Sequence, residues 1–246
     1  MNQKKIIAIL LLFTFVSCDQ LRQIVEDLDG PAPLTEQEVV RGLKQALTIG
    51  ADSAAARLAV RDGYYRDAAV RISLPPEAKV ITDNLSYLPG GQALIDDIIL
   101  RINRAAEDAA REAAPVFRRA VANMTIRDGF AILRGENDAA TQYLKTHTYM
   151  ELYQLFQPKI KTSTDKAIVG NISTTEAWNT LTNSWNSVAR SIVGQVAGLE
   201  EVNVELDQYL ANRALDGLFL KLAEEEEKIR TDPIARVTEL LRRVFG

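Results

Sequence analysis

Apolar residues recur at helical spacing along most of the chain after residue 33, and this pattern predicts an all-α fold. The first helix shows the pattern on one face: Val39, Leu43, Leu47 and Ala51. Thr35 stands three residues before Glu38, which is capping-box spacing, so this helix is predicted to run from about Thr35 to about Ala59. No run of residues alternates in polarity as a half-buried strand would. The whole pattern predicts a single-domain helical bundle of about eight helices.

Further helix boundaries follow from proline, glycine and capping residues. A helical pattern covers residues 93–122. Pro115 is expected to kink or divide that helix, because proline has no amide hydrogen and its ring clashes with the preceding turn. Thr125 is predicted to begin a short helix that Gly135 ends. Asp138 is then predicted to cap the next helix.

A second capping signal lies a few turns further along the chain. Thr148 and Glu151 have capping-box spacing, so one helix is predicted to end before Thr148 and another to begin there. His147, the only histidine, would then lie between two helices, where polar residues are common. We expect it to be partly exposed and to have no catalytic role.

Residues 214–223, with the sequence ALDGLFLKLA, are apolar nearly all round, which predicts a helix buried on most sides. Gly217 costs this helix about 1 kcal/mol of intrinsic propensity, so we expect it to allow close approach of a neighbouring helix. Asp216 is expected to be buried and paired with an arginine of another helix, and a catalytic acid is the alternative. The acidic run that follows is expected to be a solvated helix end, with Glu226 paired to Arg230.

The N-terminus predicts export and a lipid anchor. Lys4 and Lys5 precede an apolar run over residues 6–16, which is too short to cross a bilayer. Ser17 then stands directly before Cys18, the only cysteine of the chain. The segment resembles a bacterial lipoprotein signal peptide, in which that cysteine is acylated and becomes the first residue of the mature chain. An ordinary signal peptide with a chance cysteine is the alternative.

These signals divide the chain into three parts. Residues 1–17 are predicted to be the lipoprotein signal peptide, 18–33 a tether that ends in Gly-Pro-Ala-Pro, and 34–246 the all-helical domain. Acyl chains on Cys18 would hold the protein firmly on a membrane. The predicted location is the bacterial cell envelope, on the periplasmic face or the cell surface.

Composition narrows the classes of partner and chemistry. The chain has a formal net charge of −4, and losing Lys4 and Lys5 makes it more negative, so no nucleic-acid partner is expected. A single histidine and a cysteine assigned to lipidation leave no nucleophilic triad and no metal site to predict. No glycine-rich loop has the spacing of a phosphate-binding motif, and no cofactor is predicted.

The long connection over residues 61–77 is one candidate binding segment. It contains adjacent Tyr64 and Tyr65, followed by Arg66 and Arg71. Connections of this length in compact domains are often functional, and tyrosine with arginine suits the recognition of planar or anionic groups. The alternative is a loop strapped over the helical bundle.

The other candidate binding segment contains both tryptophans. Trp178 and Trp185 belong to an apolar seam whose members are spaced three and four residues apart: Trp178, Leu181, Trp185, Val188 and Ile192. Many of the intervening residues are asparagine, threonine or serine, which are weak helix formers, so the seam needs a surface to pack against. That surface is expected to be the rest of the domain; the alternatives are a partner protein, a second copy or the membrane surface.

Several stretches together resemble a known bacterial family. They are AAVRISLPPE, RINRAAEDAA, MTIRDGFAILRGENDAATQYLK, LFQPKI and the C-terminal ALDGLFLKLAEEEEKIRTDPIARVTELLRRVFG. They are similar to the family known as domain of unknown function 4197, over about residues 35–246. The resemblance implies an exported, often lipid-anchored, all-helical protein. It implies no reaction, ligand or partner.

Two functions remain open on this evidence. The first is a membrane-anchored envelope lipoprotein that acts as a binding or structural module, with an envelope protein or a second copy of itself as partner. The second is a carboxylate-dependent hydrolase acting on envelope glycans. A cleft with two facing carboxylates would favour the hydrolase. An apolar groove or an extended tryptophan-bearing hairpin would favour the module.

Overall fold

Helices form all the regular secondary structure in the residues that the structure, a computed structural model, describes: 33–84, 91–166 and 173–245. The helices are α1 (Glu36–Leu58), α2 (Lys79–Asp83), α3 (Gly91–Ala110), α4 (Ala113–Asn123), α5 (Ile126–Arg134), α6 (Ala139–Asp165), α7 (Thr174–Ala189), α8 (Ile192–Val196), α9 (Leu206–Thr231) and α10 (Glu239–Phe245). Short 3₁₀ turns occur at Pro76–Ala78 and Pro233–Ala235. Eight helices have seven or more residues, which confirms the predicted all-α bundle.

Most of the described chain belongs to one unit. The described residues from Gln37 onward form one compact unit. The predicted signal peptide, Cys18 and all but the end of the tether lie outside the described residues, so the three-part division stays a prediction.

α6 is the centre of the bundle. It packs most extensively against α9 and α3, and it also contacts α4, α5 and α7. With 27 residues it is about 40 Å long. The apolar residues of its inward face are fully buried and recur at multiples of four positions: Leu144, Leu152, Phe156 and Ile160. Each neighbouring helix therefore buries part of its apolar face on α6.

The predicted helix boundary at Thr148 is wrong, because α6 continues through it. Thr148 fills the gap between Leu144 and Leu152 in the apolar stripe, and its hydroxyl donates to the Leu144 carbonyl at 2.6 Å. A threonine satisfied in this way need not cap a helix. His147 consequently lies mid-helix on the exposed side, where its Nδ1 is 2.7 Å from the Tyr143 carbonyl oxygen.

The predicted long helix over residues 93–122 is divided into α3 and α4. The break falls at Arg111 and Glu112, and Pro115 is the third residue of α4. Proline at this position cannot donate to the Arg111 carbonyl, and its ring crowds that oxygen, so the helix ends just before α4. Pro115 therefore breaks the helix at Arg111, four residues before its own position.

α9 is buried nearly all round over residues 214–223, as its sequence predicts. Two details differ from the expectation. Asp216 is exposed, since it lies on the narrow outward side of the helix, and its partner is Arg213 of the same helix at 3.1 Å. Gly217 allows close approach of a loop instead of a helix, because a Cβ at this position would lie 2.9 Å from the Tyr64 ring and 3.1 Å from Val70.

The N-terminus of α6 is capped by a residue distant in sequence. Asp138 precedes the helix, but its carboxylate accepts from the side-chain amide of Gln142 and makes no backbone cap. The Glu226 carboxylate of α9 instead accepts from the backbone amides of Ala140 at 3.0 Å and Thr141 at 2.8 Å. Glu226 thus satisfies amides that an isolated helix leaves unpaired.

The acidic run of α9 is therefore only partly solvated. Glu226 is 6% exposed and also pairs with Arg230 at 2.8 Å, as the spacing predicts. Arg230 in turn donates to the Ile132 carbonyl at the end of α5. One ion pair connects α5, α6 and α9.

Candidate functional site

Both tryptophans lie on α7 and are buried in the domain. Ser173 and Glu176 form a capping box that fixes where α7 begins, despite its many weak helix formers. Trp178 is 3% exposed and Trp185 is fully buried. Their rings pack against the rest of the domain, which is the surface expected from the sequence.

The two indole N–H groups bind the chain that leads into α9. Trp185 Nε1 donates to the Glu200 carbonyl at 2.8 Å, and Trp178 Nε1 donates to the Val204 carbonyl at 3.4 Å. A buried indole needs such a partner for its N–H. The tryptophans therefore hold the residue 200–204 segment alongside α7.

Asn186 strengthens the same attachment between the two indoles. Its Nδ2 donates to the Val202 carbonyl at 3.1 Å, and its Oδ1 accepts from the Val202 amide at 2.8 Å. Asn186 and Val202 are both buried, where an unpaired polar group would be costly. The two bonds leave neither backbone group of Val202 unpaired. The segment is fixed at three successive points by side chains of one helix.

This segment and α7 form two walls of a polar cleft. The cleft has a volume of about 540 Å³, which is in the range of ligand-binding sites. Most lining residues carry amide, hydroxyl or charged side chains: Lys161, Thr164, Thr175, Asn179, Thr182, Asn183, Asn186, Asn203, Glu205 and Asp207. The apolar part of the lining is smaller: Trp178, Val202, Val204 and Leu206. We call this the polar cleft.

Two asparagines give the polar cleft free hydrogen-bonding groups. Asn179 and Asn183 are exposed, and their side-chain amides have no partner among the described residues. Thr182, by contrast, donates its hydroxyl to the Trp178 carbonyl at 3.0 Å. Each free amide offers two donor hydrogens and an acceptor oxygen to a ligand.

The charged residues around the polar cleft are partly neutralised. Lys161 pairs with Asp165 at 3.1 Å, and this contact raises the pKa of the lysine. The Thr175 hydroxyl, which donates to Asp165 at 2.6 Å, is the largest cause that lowers the pKa of that carboxyl. Glu205 and Asp207 also line the cleft, and both lie at the start of α9.

The other candidate segment, residues 61–77, crosses the bundle surface as a strap. Tyr64 is fully buried, and its hydroxyl donates to the Ala214 carbonyl at 2.7 Å. Burial raises the pKa of this hydroxyl, with nearby Glu107 as a second cause. Ile72 is buried as well, while Leu74 is half-buried against the core. This placement fits the alternative interpretation, a loop strapped over the bundle.

Side chains of α3 fix the strap from below. Glu107 accepts from the backbone amides of Tyr64 and Tyr65, each at 3.3 Å. Asn103 is fully buried and binds both backbone groups of Ile72, at 2.9 Å and 2.8 Å. Asn186 makes the same two-bond arrangement with Val202.

The remaining strap candidates lie at the surface. The Arg71 guanidinium stacks over the half-buried Tyr65 ring at 4.7 Å, with Arg104 of α3 at 5.6 Å. Arg66 is exposed and pairs with Asp62 at 3.3 Å. The structure does not bring these residues together with the tryptophans. None of the strap candidates is among the residues that line the polar cleft. The sequence-predicted site residues therefore form two groups.

A family model described as "Protein of unknown function (DUF4197)" matches residues 33–246. The chain belongs to this family. The resemblance carried by the sequence motifs is thus confirmed. No curated protein and no solved structure matches the chain.

An apolar tip projects from the DUF4197 domain directly after α7. Three aliphatic side chains of α8 are exposed: Ile192 at 83%, Val193 at 77% and Val196 at 85%. The flanking Arg190 and Glu201 pair with each other at 2.6 Å. Ile192 is the last residue of the predicted apolar seam, but α7 ends at Ala189, so its side chain leaves the face that carries the tryptophans.

The described part of the DUF4197 chain contains neither a membrane-spanning helix nor a cluster of metal ligands. No helix there is long and apolar enough to cross a bilayer. The same residues contain no cluster of three or more histidine, cysteine, aspartate or glutamate side chains placed to hold a metal ion.

The polar cleft of the DUF4197 domain was not predicted from the sequence. The asparagine and threonine residues of α7 could have indicated a polar surface, but from the sequence they were interpreted only as weak helix formers. The opposite wall, residues 202–207, lies after a separate short helix. Its contact with α7 depends on long-range hydrogen bonds that the local sequence does not reveal.

Proposed function

We propose that this DUF4197 protein is a lipoprotein anchored to a membrane of the bacterial cell envelope, and that its helical domain is a binding module. The observation that carries the anchor is Cys18, which follows a positive start, a short apolar run and the small residue Ser17. Acylation at Cys18 would give the membrane attachment, with the tether leading to the helical domain.

The polar cleft supports binding as the role of the domain. Its far wall is already fixed by three α7 side chains, so little ordering would be needed when a ligand enters. Preorganisation of this kind lowers the entropic cost of binding. Asp165, which pairs with the lining residue Lys161, has a lowered pKa, which suits a stable ion pair more than a proton donor.

Fatty-acid labelling tests the anchor. Cells expressing the full chain are grown with a clickable fatty acid, beside cells expressing Cys18→Ala. The wild-type chain should carry the label and sediment with membranes. The variant should carry none and should be found uncleaved or in the soluble fraction. Label that persists in Cys18→Ala would contradict the lipoprotein assignment.

The hydrolase alternative keeps one supporting observation, since Glu205 and Asp207 both line the polar cleft. Glycan cleavage of this type uses two carboxyl groups on opposite sides of the bond, whereas these two lie at the start of one helix. Purified cell-wall glycan incubated with the protein should release no new reducing ends. Release that Glu205→Gln or Asp207→Asn abolishes would establish the hydrolase.

A further inference from the structure

The fold accounts for only part of the polar stripe on α7, which comprises Thr175, Asn179, Thr182, Asn183 and Asn186. Asparagine is a weak helix former, and an exposed helix position gains nothing from it. Asn179 and Asn183 nevertheless occupy such positions, and their amides form no hydrogen bond with any other described group. Asn186 and Thr182 of the same helix, by contrast, hydrogen-bond within the fold. Both free amides belong to the lining of the polar cleft.

The spacing of these amides suits a chain-like ligand. Asn179 and Asn183 lie one turn apart, so they are separated by about 6 Å along the helix. Thr175, one further turn towards the N-terminus, also lines the cleft. Asn203 lines the cleft together with this stripe. Donors and acceptors are therefore repeated along the cleft.

The chemistry of the lining selects among ligand classes. An anionic ligand would meet Glu205 and Asp207, while the one cation, Lys161, is already paired with Asp165. An extended peptide bound along a groove gains specificity from pockets for its side chains. Trp178, the largest apolar residue of the lining, is only 3% exposed and offers no such pocket.

We infer that the polar cleft binds a neutral, polyhydroxylated ligand, an oligosaccharide, through the side-chain amides of Asn179 and Asn183. Neighbouring hydroxyl groups of a sugar both donate and accept, as each amide does, so one amide can bind two of them. This inference rests on the proposed binding module and specifies its ligand class. Trp178 serves as a wall of the site, held by its bond to Val204, and not as a stacking surface.

A binding array tests this inference on the full-length chain solubilised in mild detergent. The labelled protein is applied to immobilised neutral oligosaccharides of bacterial and plant origin, with immobilised extended peptides on the same array. The test variant is Asn179→Ala combined with Asn183→Ala. The matched control is Thr180→Ala combined with Ser184→Ala, which has the same spacing on exposed positions of α7 outside the cleft lining.

The wild-type chain should bind a subset of the oligosaccharides. The double asparagine variant should bind them at least about tenfold more weakly, since it loses several hydrogen bonds of ordinary strength. The control should bind as the wild type does. Both variants replace weak helix formers by alanine, so thermal melts should show no loss of stability.

Three results would overturn the inference. They are no binding to any oligosaccharide, binding that the double asparagine variant retains, and binding to peptides alone. Binding to peptides alone would leave the binding module standing and reject only its ligand class. The array does not depend on acylation, so failure of the Cys18 labelling and failure of the ligand assignment are separate outcomes.

Discussion

At the scale of single residues, the structure explains which small or polar residues the fold requires. The sequence indicates that Gly217 permits a close approach, because glycine is otherwise costly in a helix interior. It cannot indicate that the approaching group is the Tyr64 ring, since the strap and α9 are about 150 residues apart in sequence. The exposure of Asp216 was likewise not predictable. The apolar residues around it indicate that most of the helix is buried, but they do not indicate which narrow side faces solvent.

Gly217→Ala and Gly50→Ala should shift stability in opposite directions. A Cβ at Gly217 would meet the buried Tyr64 ring at 2.9 Å, so we expect a loss of about 1–2 kcal/mol from overpacking. A Cβ at Gly50 of α1 would meet its nearest neighbours at 3.5 Å and 3.6 Å, so alanine should stabilise by about 0.5–1 kcal/mol. Urea unfolding of residues 34–246 measures both. Equal shifts of the same sign would contradict this packing.

At the scale of elements, local sequence predicted the helices better than it predicted their ends. Thr125 begins α5, as predicted, and the structure adds a capping box with Asp128, whose groups all lie within the same turn. Asp138 and Thr148 fail as caps for a reason outside their own neighbourhoods. Glu226 reaches the α6 amides from α9, and the apolar stripe of α6 continues across Thr148.

Glu226→Gln should therefore destabilise the domain far more than Asp138→Ala. The substitution puts an amide group against the Ala140 and Thr141 amides and leaves Arg230 without its partner, so we expect a loss of about 2–4 kcal/mol. Among the described residues, the Asp138 carboxylate accepts a hydrogen bond from the exposed Gln142 side chain alone, and its removal should cost less than about 0.5 kcal/mol. Urea unfolding compares the two. A larger loss for Asp138→Ala would show that the local cap governs α6.

The link between the strap and α9 should depend on pH. Lys221 is 4% exposed and its ammonium lies 2.8 Å from Asp67, which lowers the pKa of that carboxyl. A lowered folded pKa gives stability that is present above the unfolded pKa, near 4, and is lost as pH falls through the folded value. Asp67→Asn should thus be less stable than wild type at pH 7, with the gap narrowing below about pH 4.

Asp83→Asn is the matched control for this pH dependence. Its carboxylate pairs with Lys79 at the surface, where ion pairs contribute little, so its gap from wild type should be small at every pH. Unfolding midpoints are measured from pH 7 to pH 2.5. A gap for Asp67→Asn that stays constant over this range would contradict the Asp67–Lys221 link.

At the scale of the whole molecule, the fold class was predictable and the candidate site was not. The 3.6-residue period extends over most of the chain, and it is enough to predict an all-α bundle. The polar cleft arises where the end of α6, the polar stripe of α7 and residues 202–207 meet. That meeting depends on Trp178, Trp185 and Asn186 holding a distant segment, and no periodicity within α7 encodes it.

Unfolding of Trp185→Ala tests most directly whether α7 is a fixed wall of the cleft or a surface that awaits a partner. Trp185 is fully buried and its N–H is bonded to Glu200, so the variant of residues 34–246 should lose about 3–5 kcal/mol. Val193→Ala, at the 77% exposed tip, should change stability by less than about 0.5 kcal/mol. A Trp185→Ala chain as stable as wild type would contradict the built cleft and show that the tryptophan seam is a free binding surface.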